Sequence, residues 1–416
     1  MPVRHPIAPL LLAAALVPAA LGPAPGSAQS ERPARYIVEL HSGPDGATEG
    51  ALAPARVRAT PVQVYSRTLR GFAADLLPQQ VAALQRDPSV RRVWRDQPVS
   101  LSPAPRQLLS AAGKRKTKAK GQKVPTGVRR IGGLKSATAA IDGIDSPLDV
   151  DVAVIDTGVD LDHPDLNVVG GFSVFSGDAD DPEGHGTHVA GTIGARDNRL
   201  GVVGVAPGAR IWSVRVLNQQ GQGSWSGVIA GLEWVAAHAD TIEVANLSLG
   251  GPMSDDTPLR VAVDALVAAG VTVVAAAGNA GQDVSTWVPA KFESVLCVSA
   301  LADKNGKAGK SAGVFKFGSR ERDERFASFS NWGSEVDLIA PGVKILSTYK
   351  HGQYAWISGT SQAAPHAAGA AALYLARHPG ATPAEVREAL VNRAVVFSRR
   401  NDPDGVYEPC LDVAAL

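Results

Sequence analysis

Residues 149–158 read DVDVAVIDTG. Apolar side chains fill 152–155 without alternating polarity, so this strand is expected to be buried on both faces, as in parallel sheets. It ends on Asp156, and Thr157 and Gly158 turn the chain away. Outward from it, ARIWSVRVL, TIEVANLSL, VTVVAAAG and SVLCVSA repeat the pattern. GTHVAGTIGA, GVIAGLEWVAAHA and PLRVAVDALVAAG lie between them and carry apolar residues at helical spacing. Alternating strands and helices predict an α/β fold with a doubly wound, mostly parallel sheet and helices on both faces. In such sheets ligands gather at the carboxyl ends of the strands.

The remaining sequence sets bounds. The 416 residues exceed one ordinary domain; hydrophobic residues are 45%, charged residues 19% and the net charge is +1, so neither disorder nor a nucleic-acid partner is expected. Residues 1–28 have an early Arg4, an apolar run and small residues ending at Ala28, the pattern of a secretory signal. Pro9 and Pro18 break the run, which falls short of the roughly 20 apolar residues a membrane span needs. A secreted protein, extracellular or periplasmic, without stable membrane insertion is therefore expected. Residues 29–99 contain RYIVEL, VQVYSRTLRGFAADL, LPQQVAALQRD and SVRRVWRDQPV, which predict a small α+β module. Residues 100–120 lack acidic groups and carry Lys114, Arg115, Lys116, Lys118 and Lys120, a solvated linker open to proteolysis. The larger unit is then 121–416. Cys297 and Cys410 are compatible with one disulfide or with free buried thiols.

Three stretches carry chemistry. Asp156, at a buried strand end, either caps the next helix or holds a donor in a catalytic site. In EGHGTHVAG, His185 opens a helix between two glycines, while His188 is explained by packing. No further ligands stand at zinc spacing. In SGTSQAAPHAAG, residues 358–369, Ser361 starts an Ala-rich helix whose Pro365 is expected in the first turn. A serine there is commonly an N-cap. An acid at a strand end and a glycine-flanked histidine in the same chain make it a candidate nucleophile with base and orienting group.

VAVIDTGVDLDHPDL, GHGTHVAGTI, AAAGNAG and SGTSQAAPHAAG together resemble the signature blocks of the subtilisin-like serine peptidases, in that family's order. The resemblance implies Ser361 as nucleophile, His185 as general base and acid, Asp156 as the carboxylate orienting the imidazole, and Asn279 as oxyanion donor. Ser358 and Thr360 become turn formers. It implies that Ser248, Leu249 and Gly250 on one side and Gly221, Gln222 and Gly223 on the other bind peptide substrates as an added strand. Trp225 falls at the family's aromatic wall for a residue several positions before the cut. Trp287 falls near the floor of the primary pocket, where an ordinary core role is the simpler reading.

The same resemblance makes residues 29–99 an inhibitory propeptide and folding template, with maturation near Lys120 and Gly121, and a monomer is expected after maturation. It assigns Ca²⁺ to Gln122, Asp165 and Asn198, with carbonyls from Arg196, Leu200 and Val202; Asp337 is a candidate for a second, weaker site. Arg196 and Arg199 add opposing charge. AGKS at 308–311 lacks the leading glycine of a phosphate loop, and 303–325 reads as an exposed insertion. No G-x-S-x-G surrounds Ser361, which argues against a lipase. A silent binding protein and an esterase on the same machinery are the rival functions. Gln362 stands where the family usually has methionine, so activity should survive peroxide.

Overall fold

A computed structural model describes residues 32–41, 53–101, 106–108, 121–253, 257–396 and 401–416. The predicted signal segment and most of the basic tract lie outside these residues.

The N-terminal module is an antiparallel sheet of β1 (Ala34–Leu40), β2 (Pro61–Tyr65), β3 (Gly71–Leu76) and β4 (Val90–Arg95), in the order β2-β3-β1-β4. Helix α1 (Pro78–Leu84) starts on a proline and is capped by Gln80, whose side chain accepts from the Leu77 N–H at 2.7 Å. Val38, Phe72, Leu76 and Leu84 form its core. Two short strands follow, β5 (Pro98–Ser100) and β6 (Arg106–Leu108), and both pair with the larger unit.

That unit is built on β7 (Asp151–Asp156), β8 (Val168–Ser173), β9 (Arg210–Arg215), β10 (Gln222–Ser224), β11 (Val244–Leu247), β12 (Thr272–Ala276), β13 (Leu296–Ala302) and β14 (Leu338–Pro341). All but β10 join one parallel sheet, in the order β14-β13-β12-β11-β7-β9-β8. Strand periodicity explains the unbroken apolar runs. Val152, Val154, Val244 and Val274 face one core, while Ala153, Ile155, Ala245 and Val273 face another. The first core is closed by helix α2 (His185–Gly194) and the helix Thr360–Arg377, the second by α3 (Trp225–Ala236) and α4 (Pro258–Ala268).

An antiparallel hairpin, β15 (Ile345–Tyr349) and β16 (Gln353–Ile357), leads into the Thr360–Arg377 helix, α5. α2 packs closely on this hairpin: a Cβ at Gly191 would come within 2.0 Å of Thr348 Oγ1.

One expectation is refined and two need correction. The segment 303–325 is organised, with a hairpin of Val314–Phe317 and Ser319–Arg322. Asp323 is 1% exposed and accepts the Asn305 amide at 2.8 Å, and Glu324 holds the Arg130 guanidinium at 2.7 Å. The segment is mostly exposed, as expected, but its acids are internal: Asp303, Glu321, Asp323 and Glu324 are buried while its lysines face outward. Pro365 sits in the second turn of α5, not the first. Asp337 is committed to Arg387, at 2.8 Å from Nε, and to the Cys297 N–H at 2.8 Å, which removes it from any second metal site. Cys297 and Cys410 are buried and form no disulfide.

Candidate active site

The candidate residues stand at the ends of four elements. Asp156 closes β7, His185 is the first residue of α2, Asn279 follows β12, and Ser361 is the second residue of α5. His185 Nδ1 lies 2.8 Å from Asp156 Oδ1, which also accepts the Thr157 N–H at 2.7 Å. Both side chains are buried. Burial pushes the His185 imidazole down, but the Asp156 carboxylate and its hydrogen bond outweigh it, so the pKa is raised.

Asp181, which the sequence reading missed, holds this pair in register. Its Oδ1 accepts Thr157 Oγ1 at 2.8 Å and the Gly184 N–H at 2.7 Å, and its Oδ2 accepts the Thr187 N–H at 2.9 Å. It thereby ties the end of β7 to the start of α2. Burial raises its pKa in spite of these donors. An acid four positions before a glycine-flanked histidine was the available signal.

Ser361 Oγ donates to the Ser248 carbonyl at 2.9 Å rather than to His185, and Ser248 Oγ donates to the Ser361 carbonyl at 2.9 Å. Asn279 Oδ1 accepts the Thr360 N–H at 2.8 Å and Thr360 Oγ1 at 2.9 Å. The amide oxygen is thereby fixed, and its Nδ2 hydrogens stay free to donate beside Ser361. Gln362 is fully buried, and neither amide atom has a hydrogen-bond partner among the described residues. His188 is buried, donates from Nε2 between the Ile345 and Ala355 carbonyls at 3.1 Å each, and has its pKa lowered to about 3 by burial. It is a structural histidine.

The chain's own N-terminal module enters this cleft. β5 pairs antiparallel with β10, matching Ser100 to Gln222 and Val99 to Gly223, and the Leu101 N–H donates to the Gly221 carbonyl at 2.9 Å. Ser100 and Leu101 lie against Ser248, Leu249, Gly250 and Ser361. Val99 joins the core that contains Trp225, and the Trp225 N–H donates to the Gln97 carbonyl at 3.1 Å. Trp287 packs against a small core cluster, as the simpler reading expected, and also lines the cavity beside Ser361. Its Nε1 lies 2.8 Å from where a Cβ on Gly250 would stand and 2.7 Å from one on Gly278, so the indole fills the space between two glycines beside Ser361.

The candidate calcium residues also converge. The Gln122 amide reaches the Arg196 carbonyl and, at 2.8 Å, that of Val202. A half-turn of that amide presents Oε1 to the same space. Asp165 Oδ2 accepts the Val202 N–H at 2.9 Å, while its buried Oδ1 has no partner and burial raises the carboxyl to about 6. Asn198 Oδ1 accepts the Leu200 N–H at 2.9 Å. Arg196 turns its guanidinium to Asp145 at 2.7 Å, and Arg199 Nε donates to the Gly143 carbonyl at 3.0 Å, so the expected opposing charge is directed elsewhere. An orphaned carboxylate oxygen among main-chain carbonyls fits a hard cation. No cluster of three or more His, Cys, Asp or Glu able to hold a metal occurs among the described residues, and a carbonyl-rich site needs none.

Residues 149–408 match the model of the subtilase family, and residues 28–102 match that of peptidase inhibitor I9. The chain is 40% identical to subtilisin E of Bacillus subtilis (strain 168) over 339 residues, covering 80% of this chain and 77% of the relative. It is 41% identical to subtilisin DY of Bacillus licheniformis over 278 residues, 66% of this chain and 92% of the relative. The crystal structure of a cold adapted subtilisin-like serine proteinase superposes with a TM-score of 0.57 at 38% identity, covering 69% of this chain and 97% of that one. The chain belongs to the subtilase family of serine endopeptidases and carries an inhibitor I9 propeptide at its N-terminal end.

Proposed function

We propose that this subtilase is exported as a precursor, cleaves its own propeptide and then hydrolyses peptide bonds through Ser361, His185 and Asp156. The observation that carries the reading is the 2.8 Å contact of His185 Nδ1 with Asp156 in a cleft where β5 already lies as an added strand.

Ser361 Oγ turns from the Ser248 carbonyl to His185 Nε2, gives up its proton there and bonds to the substrate carbonyl carbon. Asn279 Nδ2 and the Ser361 N–H, at the positive end of α5, hold the oxyanion. The C–N bond breaks as His185 returns the proton to the leaving amine. Water, deprotonated by His185, then attacks the acyl-enzyme and restores the serine. Asp156 keeps Nε2 as the accepting nitrogen and stabilises the imidazolium.

Trp287 between Gly250 and Gly278 limits the residue before the cut to a small side chain. Asp165, Gln122, Asn198 and the Arg196, Leu200 and Val202 carbonyls would hold calcium, whose positive charge would balance the unpartnered Asp165 Oδ1 and tie the segment at Gln122 to the domain. Casein hydrolysis that is blocked by a serine-directed fluorophosphonate and lost in Ser361→Ala supports the reading. A protein inactive on every peptide overturns it.

A further inference from the structure

The chain makes a second contact with the catalytic domain after the inhibitory strand, and the activity described so far does not account for it. β6 pairs antiparallel with β16, matching Leu108 to Ala355, Gln107 to Trp356 and Arg106 to Ile357. β16 leads directly to Ser361, whereas β5 and Leu101 are held on the opposite side by β10 and Gly221. Ser361 lines one cavity with Leu101 and follows β16 closely in the chain, so a cut made after Leu101 and before Arg106 would put Arg106 on the leaving-group side.

Its guanidinium has a fitted receptor. One terminal nitrogen pairs with the Glu183 carboxylate at 2.8 Å and the other donates to Tyr349 Oη at 2.7 Å. The guanidinium also lies over the Tyr349 ring, 5.5 Å from its centroid. Tyr349 Oη donates onward to the Glu183 carbonyl at 2.9 Å, and the second Glu183 carboxylate oxygen accepts the His185 N–H at 2.8 Å. The ring is seated by Gly184, at φ 108°, where a Cβ would come within 2.3 Å of it. The Glu183 side chain is only 15% exposed, so the pair is less screened by water than a surface one. Two acceptors in a fixed fork, with an aromatic face beside them, suit arginine better than lysine.

We propose that Glu183 and Tyr349 form a subsite for an arginine on the leaving-group side of the scissile bond, filled by Arg106 in the precursor and by substrate arginines in the active enzyme. This rests on the reading that Ser361 cleaves peptides. The subsite makes the precursor's first cut fall between Leu101 and Arg106, upstream of the basic tract. The new N-terminal stretch then stays bound on β16 until a later cut removes it.

The test uses the full chain after self-activation and a set of quenched fluorescent peptides. They are identical before the cut and carry Arg, Lys or Gln at each of the first positions after it. At one position Arg should raise kcat/KM about tenfold or more over Gln, the size expected of a charge-assisted pair, with Lys between them. Within Glu183→Gln that Arg-to-Gln ratio should fall to near one, and Tyr349→Phe should reduce it. A ratio near one at every position in the wild type, or one unchanged in both variants, overturns the subsite while leaving the peptidase intact. Failure to cleave any peptide overturns both.

Discussion

Replacing Glu233 by alanine should loosen the propeptide without damaging catalysis. Glu233, on α3, receives a loop of the N-terminal module: Oε1 accepts the Ser66 and Arg67 N–H groups at 2.7 Å each, and Oε2 accepts the Thr68 N–H and hydroxyl at 2.8 Å each. Partial burial pushes the carboxyl up, but the Thr68 and Ser66 donors outweigh it and hold the pKa below the usual range. Hydrogen bonds to a charged group are worth about 1.5–3 kcal/mol each. They share one carboxylate and partly face solvent, and the freed donors can return to water, so the whole set is worth roughly 2–4 kcal/mol rather than the sum. That corresponds to a rise of about 30- to 1,000-fold in the inhibition constant. The assay titrates activated wild-type and Glu233→Ala enzyme with the same separately made chain of residues 29–101, so the module's own folding cost cancels in the ratio. A depressed carboxyl contributes above its free pKa and is lost as pH falls through the bound value. Wild-type inhibition should therefore weaken in acid, and the variant should not share that loss. An inhibition constant within threefold of wild type would refute the reasoning, as would an equal loss of kcat/KM on small peptides.

Five further outcomes are expected. Asn279→Ala should lower kcat with little change in KM; the loss should be roughly 10²–10³-fold, a figure taken from subtilisin itself rather than worked out from these distances. The imidazole of His185 must be neutral to act, and its pKa is raised, so kcat/KM should climb with pH along a limb above the ordinary imidazole range; a limb below that range would contradict the Asp156 contact. The same raised pKa makes His185 stabilise the fold at low pH, with that contribution lost as pH rises through the folded value. Trp287→Gly should raise kcat/KM for phenylalanine relative to alanine before the cut by about tenfold or more, a volume effect readable from matched peptides. Chelation should lower Tm in the wild type and not in Asp165→Asn; at calcium about 100 times its Kd the site contributes about 2.7 kcal/mol.

The sequence was legible where chemistry sits at an element's end. Asp156, His185 and Ser361 each close a strand or open a helix, and their glycine neighbours mark the turns. The β strands with a core on each face were equally plain, because burial on two sides removes polar residues from the run. What stayed hidden depends on contacts between segments far apart in the chain. β6 lies in a tract whose composition reads as linker, and it is a strand only because β16 offers an edge. Glu183 and Tyr349 are unremarkable until Arg106 joins them. The acids of 303–325 look solvated because their partners, such as Arg130, come from another part of the chain.

Pro365 shows how position within an element changes the meaning of a residue. A proline in a helix interior ordinarily costs about 3 kcal/mol, because it lacks the N–H that would bond the carbonyl four residues earlier. That carbonyl belongs to Ser361. Without a partner inside α5, it accepts Ser248 Oγ at 2.9 Å, while Ser361 Oγ is held by the Ser248 carbonyl at the same distance. The helical defect thus becomes a reciprocal clamp between Ser361 and the residue just after β11. Asn246 Nδ2, donating to Ser248 Oγ at 2.8 Å, leaves that hydroxyl's proton for the Ser361 carbonyl. The proline offsets part of its cost by freeing a carbonyl that anchors the turn carrying Ser361.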